Sequence, residues 1–231
     1  MSSNITRTTQ IFIGYDPREH KAYQVCKNSI KRRSDIRINK LYSKDMPLYT
    51  REREPQQSTD FTNTRWAVPA LMDFEGIGIF VDCDFVFLAD PFEMVAKHFD
   101  KSKAVMVCKH PLYTPNSVIK MDGVQQHTMP RKNWASLVIF NNSHPAIRRG
   151  LQWDTVNNHM PSRDLHQFKF LKDSQIGSIP LDWNCLDDYY HIENPKAIHY
   201  TDGGPWFEDY EETFYSDYWN AEWEYCKELG M

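Results

Sequence analysis

Hydrophobic and polar positions in this chain switch between two periods, and the switches mark its elements. Gln10 to Tyr15 is an apolar, β-rich run that ends at Gly14-Tyr15-Asp16-Pro17. It predicts a strand, with Asp16 capping a following helix and Pro17 in that helix's first turn. Ala22, Val25, Cys26, Ser29 and Ile30 then recur at helical spacing. Ile36 to Tyr42 reads as a second strand, so the chain opens as a βαβ unit and a parallel sheet is expected.

Residues 45 to 60 are polar, hold two prolines and read as a surface loop. Ser58, Thr59 and Asp60 are candidate caps for a helix through Leu71. Ile77 to Val81 is a short apolar run that fits a buried central strand. It runs directly into Asp82-Cys83-Asp84. Asp90-Pro91 starts another helix, Lys103 to Cys108 and Ala135 to Phe140 are strands, and a helix follows His144-Pro145. Between them, Lys109 to Lys132 is irregular, with a hairpin signal at Asp122-Gly123. Ile176 to Trp183 is extended and Ala197 to Tyr200 is a last short strand. In the tail, Tyr215, Trp219 and Trp223 are spaced by four, as one helical stripe.

Two aspartates at i and i+2, just past a buried strand, sit where α/β sheets bind ligands. Two carboxylates facing one spot repel unless a cation lies between them, and a divalent ion with oxygen ligands is the usual partner. Such an ion can hold a diphosphate and offset the charge of a leaving group. Near the end of the chain stands Ala197-Ile198-His199-Tyr200-Thr201-Asp202-Gly203-Gly204-Pro205-Trp206. A histidine at a strand end can complete the metal's ligands, and Gly203-Gly204 lets backbone N–H groups come close to phosphate oxygens.

Composition narrows the choice. The net charge is −4, so the broad positive field of a nucleic-acid binder is missing. The basic cluster at Lys31-Arg32-Arg33 falls where the first helix should end, a favourable place for positive charge. Five cysteines without a Cys-x-x-Cys pair suit a reducing compartment. The first residues lack the blocks of a signal peptide, and no apolar run reaches membrane-spanning length. The expectation is a cytoplasmic protein of one domain, residues 1–231. Its nucleotide-binding half is 1–108, and its acceptor side and C-terminal motif are 109–231.

In four places the chain resembles glycosyltransferase family 8, the retaining enzymes with a GT-A fold. Ile11 to Asp16 is similar to that family's first strand. Phe61 to Pro69, with Arg65, is similar to the Arg-bearing helix before its metal motif. Phe80-Val81-Asp82-Cys83-Asp84 matches its strand and Asp-x-Asp, and His199 to Trp206 its C-terminal His, Gly and Pro-Trp motif. The resemblance implies an α/β fold: one GT-A, Rossmann-like domain with a mostly parallel sheet flanked by helices. It implies a UDP-sugar donor, Mn²⁺ (or Mg²⁺) as cofactor, and Asp82, Asp84 and His199 as its ligands. Gly14, Tyr15 and Asp16 would lie by the base, Cys83 by the ribose and Arg65 by the sugar or phosphates. Gly203, Gly204 and Trp206 would form the phosphate loop. The acceptor, whether glycan, lipid or protein, is left open.

The sequence departs from that pattern in three ways. Gly204 stands where the family has a Lys before Pro-Trp, and the interval is one residue shorter. Trp134-Ala135-Ser136 fills the place of the family's Asn, small residue and Gly, with Asn133 one position early. The family's Asp-Gln pair near the reacting sugar carbon has Asp164-Leu165-His166-Gln167 as its nearest counterpart, so Asp164 and Gln167 are the candidate catalytic groups. Asp182-Trp183-Asn184 is a second candidate, with Trp183 either a sugar platform or core packing. Two alternatives stay open: a haloacid dehalogenase-type phosphatase using Asp82 and Asp84, and a catalytically weak nucleotide-sugar-binding protein.

Overall fold

The computed structural model describes residues 8–55, 57–112 and 130–230. Most of the irregular stretch, including Asp122-Gly123, lies outside the described residues. The opening βαβ unit is present as β1 (Thr9–Gly14), α1 (His20–Lys31) and β2 (Arg37–Leu41). β1 pairs in parallel with β2 on one side and with β3 (Ile77–Val81) on the other. The remaining strands of the main sheet are β5 (Val105–Cys108), β6 (Leu137–Asn141) and β7 (Ile176–Ile179), in the order β2-β1-β3-β6-β5-β7. The sheet is mixed, because β6 runs antiparallel to both β3 and β5. Every residue of β3 and β5 is buried, as expected for strands covered on both faces.

A second, three-stranded sheet was not expected from the sequence. It holds β4 (Phe85–Phe87), β8 (Cys185–Leu186) and β9 (Ala197–His199), in the order β4-β9-β8. Its strands are two or three residues long, too short for a periodic signal. A separate apolar cluster covers it, joining Val25 of α1, Val86, Cys185, Ile198 and Tyr200 to Trp219 and Cys226. The last two belong to α6 (Ser216–Glu228), the helix of the aromatic stripe. Arg32 and Arg33, at the end of α1, both pair with Glu222 of α6, at 3.0 and 2.8 Å. The basic cluster thus both ends a helix and ties the two helices together.

Among the described residues the other α-helices are short: α2 (Val68–Leu71), α3 (Pro91–His98), α4 (Pro145–Gly150) and α5 (Ser162–His166). Asp90 caps α3 as expected, accepting from the N–H of Phe92. The helix expected through Leu71 is broken into turns, a 3₁₀ turn at Thr64–Ala67 and the single turn α2. Two causes are visible. The hydroxyl of Thr62 donates to the carbonyl of Thr59, a local bond that competes with helix, and Pro69 has no N–H to continue one.

Candidate metal and nucleotide site

The site forms where the chain passes from the large sheet to the small one. β3 ends at Val81, and the N–H of Asp82 still donates to the carbonyl of Ser136 at 2.9 Å. Two residues later the carbonyl of Asp84 accepts from the N–H of Tyr200 at 3.0 Å. β4 then pairs antiparallel with β9, with Phe85 opposite His199. That register brings a histidine from far along the chain beside the Asp-x-Asp turn. One ligand atom each from Asp82, Asp84 and His199 lies within 4.8 Å of the others. His199 Nε2 is 3.4 Å from Asp84 Oδ2, and its ring stacks on Phe85 at 4.4 Å between centroids.

This donor set suits a divalent ion: two carboxylates and an imidazole, with Asp84 Oδ1 buried and, among the described residues, without a hydrogen-bond partner. An orphaned carboxylate oxygen inside such a cluster is satisfied by a cation.

Arg65 reaches the same cluster. Its Nη1 lies 2.9 Å from Asp82 Oδ1 and donates to the carbonyl of Ala135, while its Nε donates to the carbonyl of Thr62. The guanidinium lies over the ring of Phe80, 4.7 Å from its centroid. Burial lowers the Arg65 pKa, and the charges of Asp82 and Asp84 oppose that shift. Arg65 was expected beside the sugar or phosphates; here it is anchored to Asp82.

Cys83 was expected beside the ribose, but it is fully buried and its thiol donates to Glu19 Oε2 at 2.9 Å. Only its backbone is left for a nucleotide. Glu19 is itself buried, and its pKa is pushed up to about 8 by burial first and then by the charge of Asp84. Nothing in the sequence marks Glu19 apart from its place in the first turn after Pro17.

The residues expected at the base divide into two kinds. Asp16 is closed on itself: Oδ1 accepts from the N–H and Nε of Arg18, and Oδ2 from Arg18 Nη2 and the N–H of Asp60. Its carboxylate is spent capping the turn Pro17–Glu19 and holding the loop before Phe61. Tyr15 is half-buried, edge-on to Tyr23 and Tyr42, with Lys40 over its ring and its hydroxyl by His20. Gly14 permits close packing, since a Cβ there would lie 2.5 Å from the Phe61 ring.

In the C-terminal loop, the N–H of Gly203 donates to the carbonyl of Tyr200, so it is not aimed at a phosphate. Gly203 has φ near +137°, a conformation that favours glycine. A Cβ on Gly204 would lie 2.1 Å from the indole of Trp206. Trp206 in turn packs on Tyr200 and Trp219, so it supports the loop.

Asp164 and Gln167 have partners of their own. Asp164 pairs with Lys169 at 2.7 Å, and the carbonyl of Gln167 accepts from Arg131. Their helix turn is linked to the cluster through His166, whose ring meets Trp66, the neighbour of Arg65. Trp183 is fully buried, which decides for core packing. Its neighbour Asn184, part of that second candidate segment, has a contact the sequence did not predict: its Oδ1 is 3.0 Å from His199 Nδ1. Asn133 also joins this region, accepting at Oδ1 from the hydroxyl of Thr201.

No known family profile matches the chain. Among solved structures, the bifunctional glycosyltransferase WbbM in its apo form superposes with a TM-score of 0.62 at 17% identity over 94% of this chain. This chain spans about half of that one, 49%. The galactosyltransferase LgtC, solved with donor and acceptor sugar analogs, gives a TM-score of 0.60 at 12% identity, covering 93% of this chain and 95% of its own. The α/β fold is therefore that of GT-A glycosyltransferases. The Protein CDI of Arabidopsis thaliana is 43% identical, over 95% of this chain and 88% of its own length. With that identity along nearly its whole length, the chain belongs to the family of Protein CDI, a family built on the GT-A fold.

Proposed function

We propose that this protein is a metal-dependent glycosyltransferase that moves a hexose from a UDP-sugar to an acceptor, with retention of configuration. The observation that carries the proposal is the meeting of Asp82, Asp84 and His199 at the end of β3. Asp82, Asp84 and His199 would hold a divalent ion such as Mn²⁺ or Mg²⁺, which would supply positive charge for the diphosphate and the leaving UDP. Arg65 holds the Asp82 carboxylate in place, with Nη1 2.9 Å from its Oδ1. Tyr15 offers the base a partly exposed ring, and the backbone of Cys83 is left to face the ribose. Gly204, with Trp206 behind it, is the part of the C-terminal loop proposed to approach the phosphates. Asp164 or Gln167 is proposed to stabilise the positive sugar carbon, and for Asp164 this requires release from Lys169.

A phosphatase of the haloacid dehalogenase type is disfavoured, because its Asp-x-Asp follows the first core strand and here it follows the third. The binding-protein alternative is favoured by one observation, the glycine at position 204 where a phosphate-binding lysine would stand.

UDP release from a panel of UDP-sugars with Mn²⁺, beside calorimetry of UDP binding, separates these readings. Metal-dependent UDP binding with sugar loss supports transfer. UDP binding without sugar loss under any acceptor supports the binding protein. If UDP does not bind with Mn²⁺, both are wrong.

A further inference from the structure

We propose that Asn184 sets the tautomer of His199, and so directs the lone pair of Nε2 into the metal cluster. The inference rests on the metal-site reading above but not on the identity of the sugar. Asn184 and His199 are both buried, and their contact, Oδ1 to Nδ1 at 3.0 Å, is shielded from water.

The proton can be placed by counting donors and acceptors. Ser136 Oγ gives its only proton to the carbonyl of Asn133 at 2.7 Å. The other end of the Asn184 amide faces Ser136 Oγ at 2.9 Å and that same Asn133 carbonyl at 3.4 Å. A carbonyl oxygen only accepts, so the end of Asn184 facing it must be the NH₂. The end facing His199 is then the amide oxygen, which also only accepts. His199 Nδ1 must therefore carry the hydrogen, and in the neutral ring Nε2 is bare.

The bare Nε2 lies 3.4 Å from Asp84 Oδ2, and Asp84 Oδ1 has no partner. Two acceptors facing each other without a proton between them repel, and a cation resolves the repulsion. The chain Asn133–Ser136–Asn184 thus prepares the imidazole as a ligand before any ion arrives. It also links the segment before β6 to β9, which explains why Trp134-Ala135-Ser136 keeps a small hydroxyl residue at its third place. Asn184 acts through His199; it is a positioning residue.

The test begins with the wild-type protein in EDTA at pH 8. Long-range ¹H–¹⁵N spectra of ¹⁵N-histidine-labelled protein, with His199 assigned by its loss in His199→Ala, report the tautomer directly. An Nδ1–H pattern is expected; an Nε2–H pattern overturns the proposal. Mn²⁺ affinity, read by electron paramagnetic resonance, should fall about 10- to 100-fold in Asn184→Leu. Asn184→Asp keeps an acceptor for Nδ1–H and should retain the tautomer. In a His199→Ala background, Asn184→Leu should change Mn²⁺ affinity by no more than about twofold, because its route of action is gone. An equal loss in both backgrounds shows a merely structural role and overturns the proposal. If Asn184→Leu fails to fold, the wild-type spectrum still decides. An Nδ1–H spectrum without any Mn²⁺-dependent UDP binding would support the tautomer assignment while sinking the glycosyltransferase reading.

Discussion

Arg65 Nη1 lies 2.9 Å from Asp82 Oδ1, and the same guanidinium is pinned by the carbonyls of Thr62 and Ala135. Removing one partner of such a buried pair leaves the other charge uncompensated. Arg65→Met is expected to destabilise the metal-free protein by about 3–5 kcal/mol. Mn²⁺ should restore more stability to this variant than to the wild type, because the ion supplies the missing positive charge. Urea denaturation with and without Mn²⁺ checks this; equal metal effects in both proteins would contradict it.

In the proposed metal site Asp84 would contribute one ligand and one negative charge, and among the described residues its Oδ1 has no other partner to lose. Asp84→Ala is therefore expected to abolish metal-dependent UDP binding while leaving the metal-free fold intact. Calorimetry with UDP and Mn²⁺, beside a thermal melt in EDTA, measures both halves. Retained metal-dependent binding would place the ion elsewhere.

Glu19 holds its proton to about pH 8 in the folded chain, against an ordinary value of 4.5. Between those values the folded state binds a proton that the unfolded state does not. Stability from this group is therefore complete at low pH, falls as pH rises across that window, and levels off above it. Glu19→Gln should remove that contribution, flattening the pH dependence of the melting temperature in EDTA relative to wild type. A variant with the wild-type slope would show that Glu19 is ionised at neutral pH.

Gly14 closes β1 against the ring of Phe61, where a Cβ would come within 2.5 Å. Gly14→Ala is expected to cost about 1–3 kcal/mol by overpacking. Phe61→Leu in the same chain should recover part of this loss, since a smaller side chain makes room. A double variant no more stable than Gly14→Ala would locate the strain elsewhere.

Asp164 of α5 pairs with Lys169, just beyond the helix, at a partly exposed position. If it serves the reacting sugar, Asp164→Asn should lower sugar transfer while leaving Mn²⁺ affinity unchanged. If it is only a surface pair, its loss should shift stability by less than about 1 kcal/mol and leave transfer alone. Initial rates and a melting curve on one preparation distinguish these.

Much of the main sheet was legible because β1, β3, β5 and β6 are long or apolar enough to show a pattern. The cluster of Asp82, Asp84 and His199 was legible for a different reason: aspartates directly after a buried strand are chemically conspicuous. The small sheet was not legible, because strands of two or three residues take their structure from their partners. The helix expected before Leu71 failed where threonine hydroxyls and Pro69 outweighed helical spacing. The fates of Asp16 and Cys83 could not be read either. Each has the right chemistry for a nucleotide contact, but long-range partners turn it inward: Asp60 for the first, Glu19 for the second. Asn184 was hidden beside a tryptophan, since a hydrogen bond to His199 leaves no mark in local spacing.

The pairing of Phe85 with His199 places a chemical requirement on a strand of three residues. A slip of one residue would set Ile198 or Tyr200 opposite Phe85 and carry the imidazole to the other face. The same slip would pull Ile198 and Tyr200 out of the cluster they share with Val86 and Trp219. Greasy contacts on one face of β9 therefore proofread the ligand on the other. A chain that buries its second core correctly has already set His199 beside Asp82 and Asp84, so folding errors in this region should not leave behind a well-packed protein with that cluster dispersed.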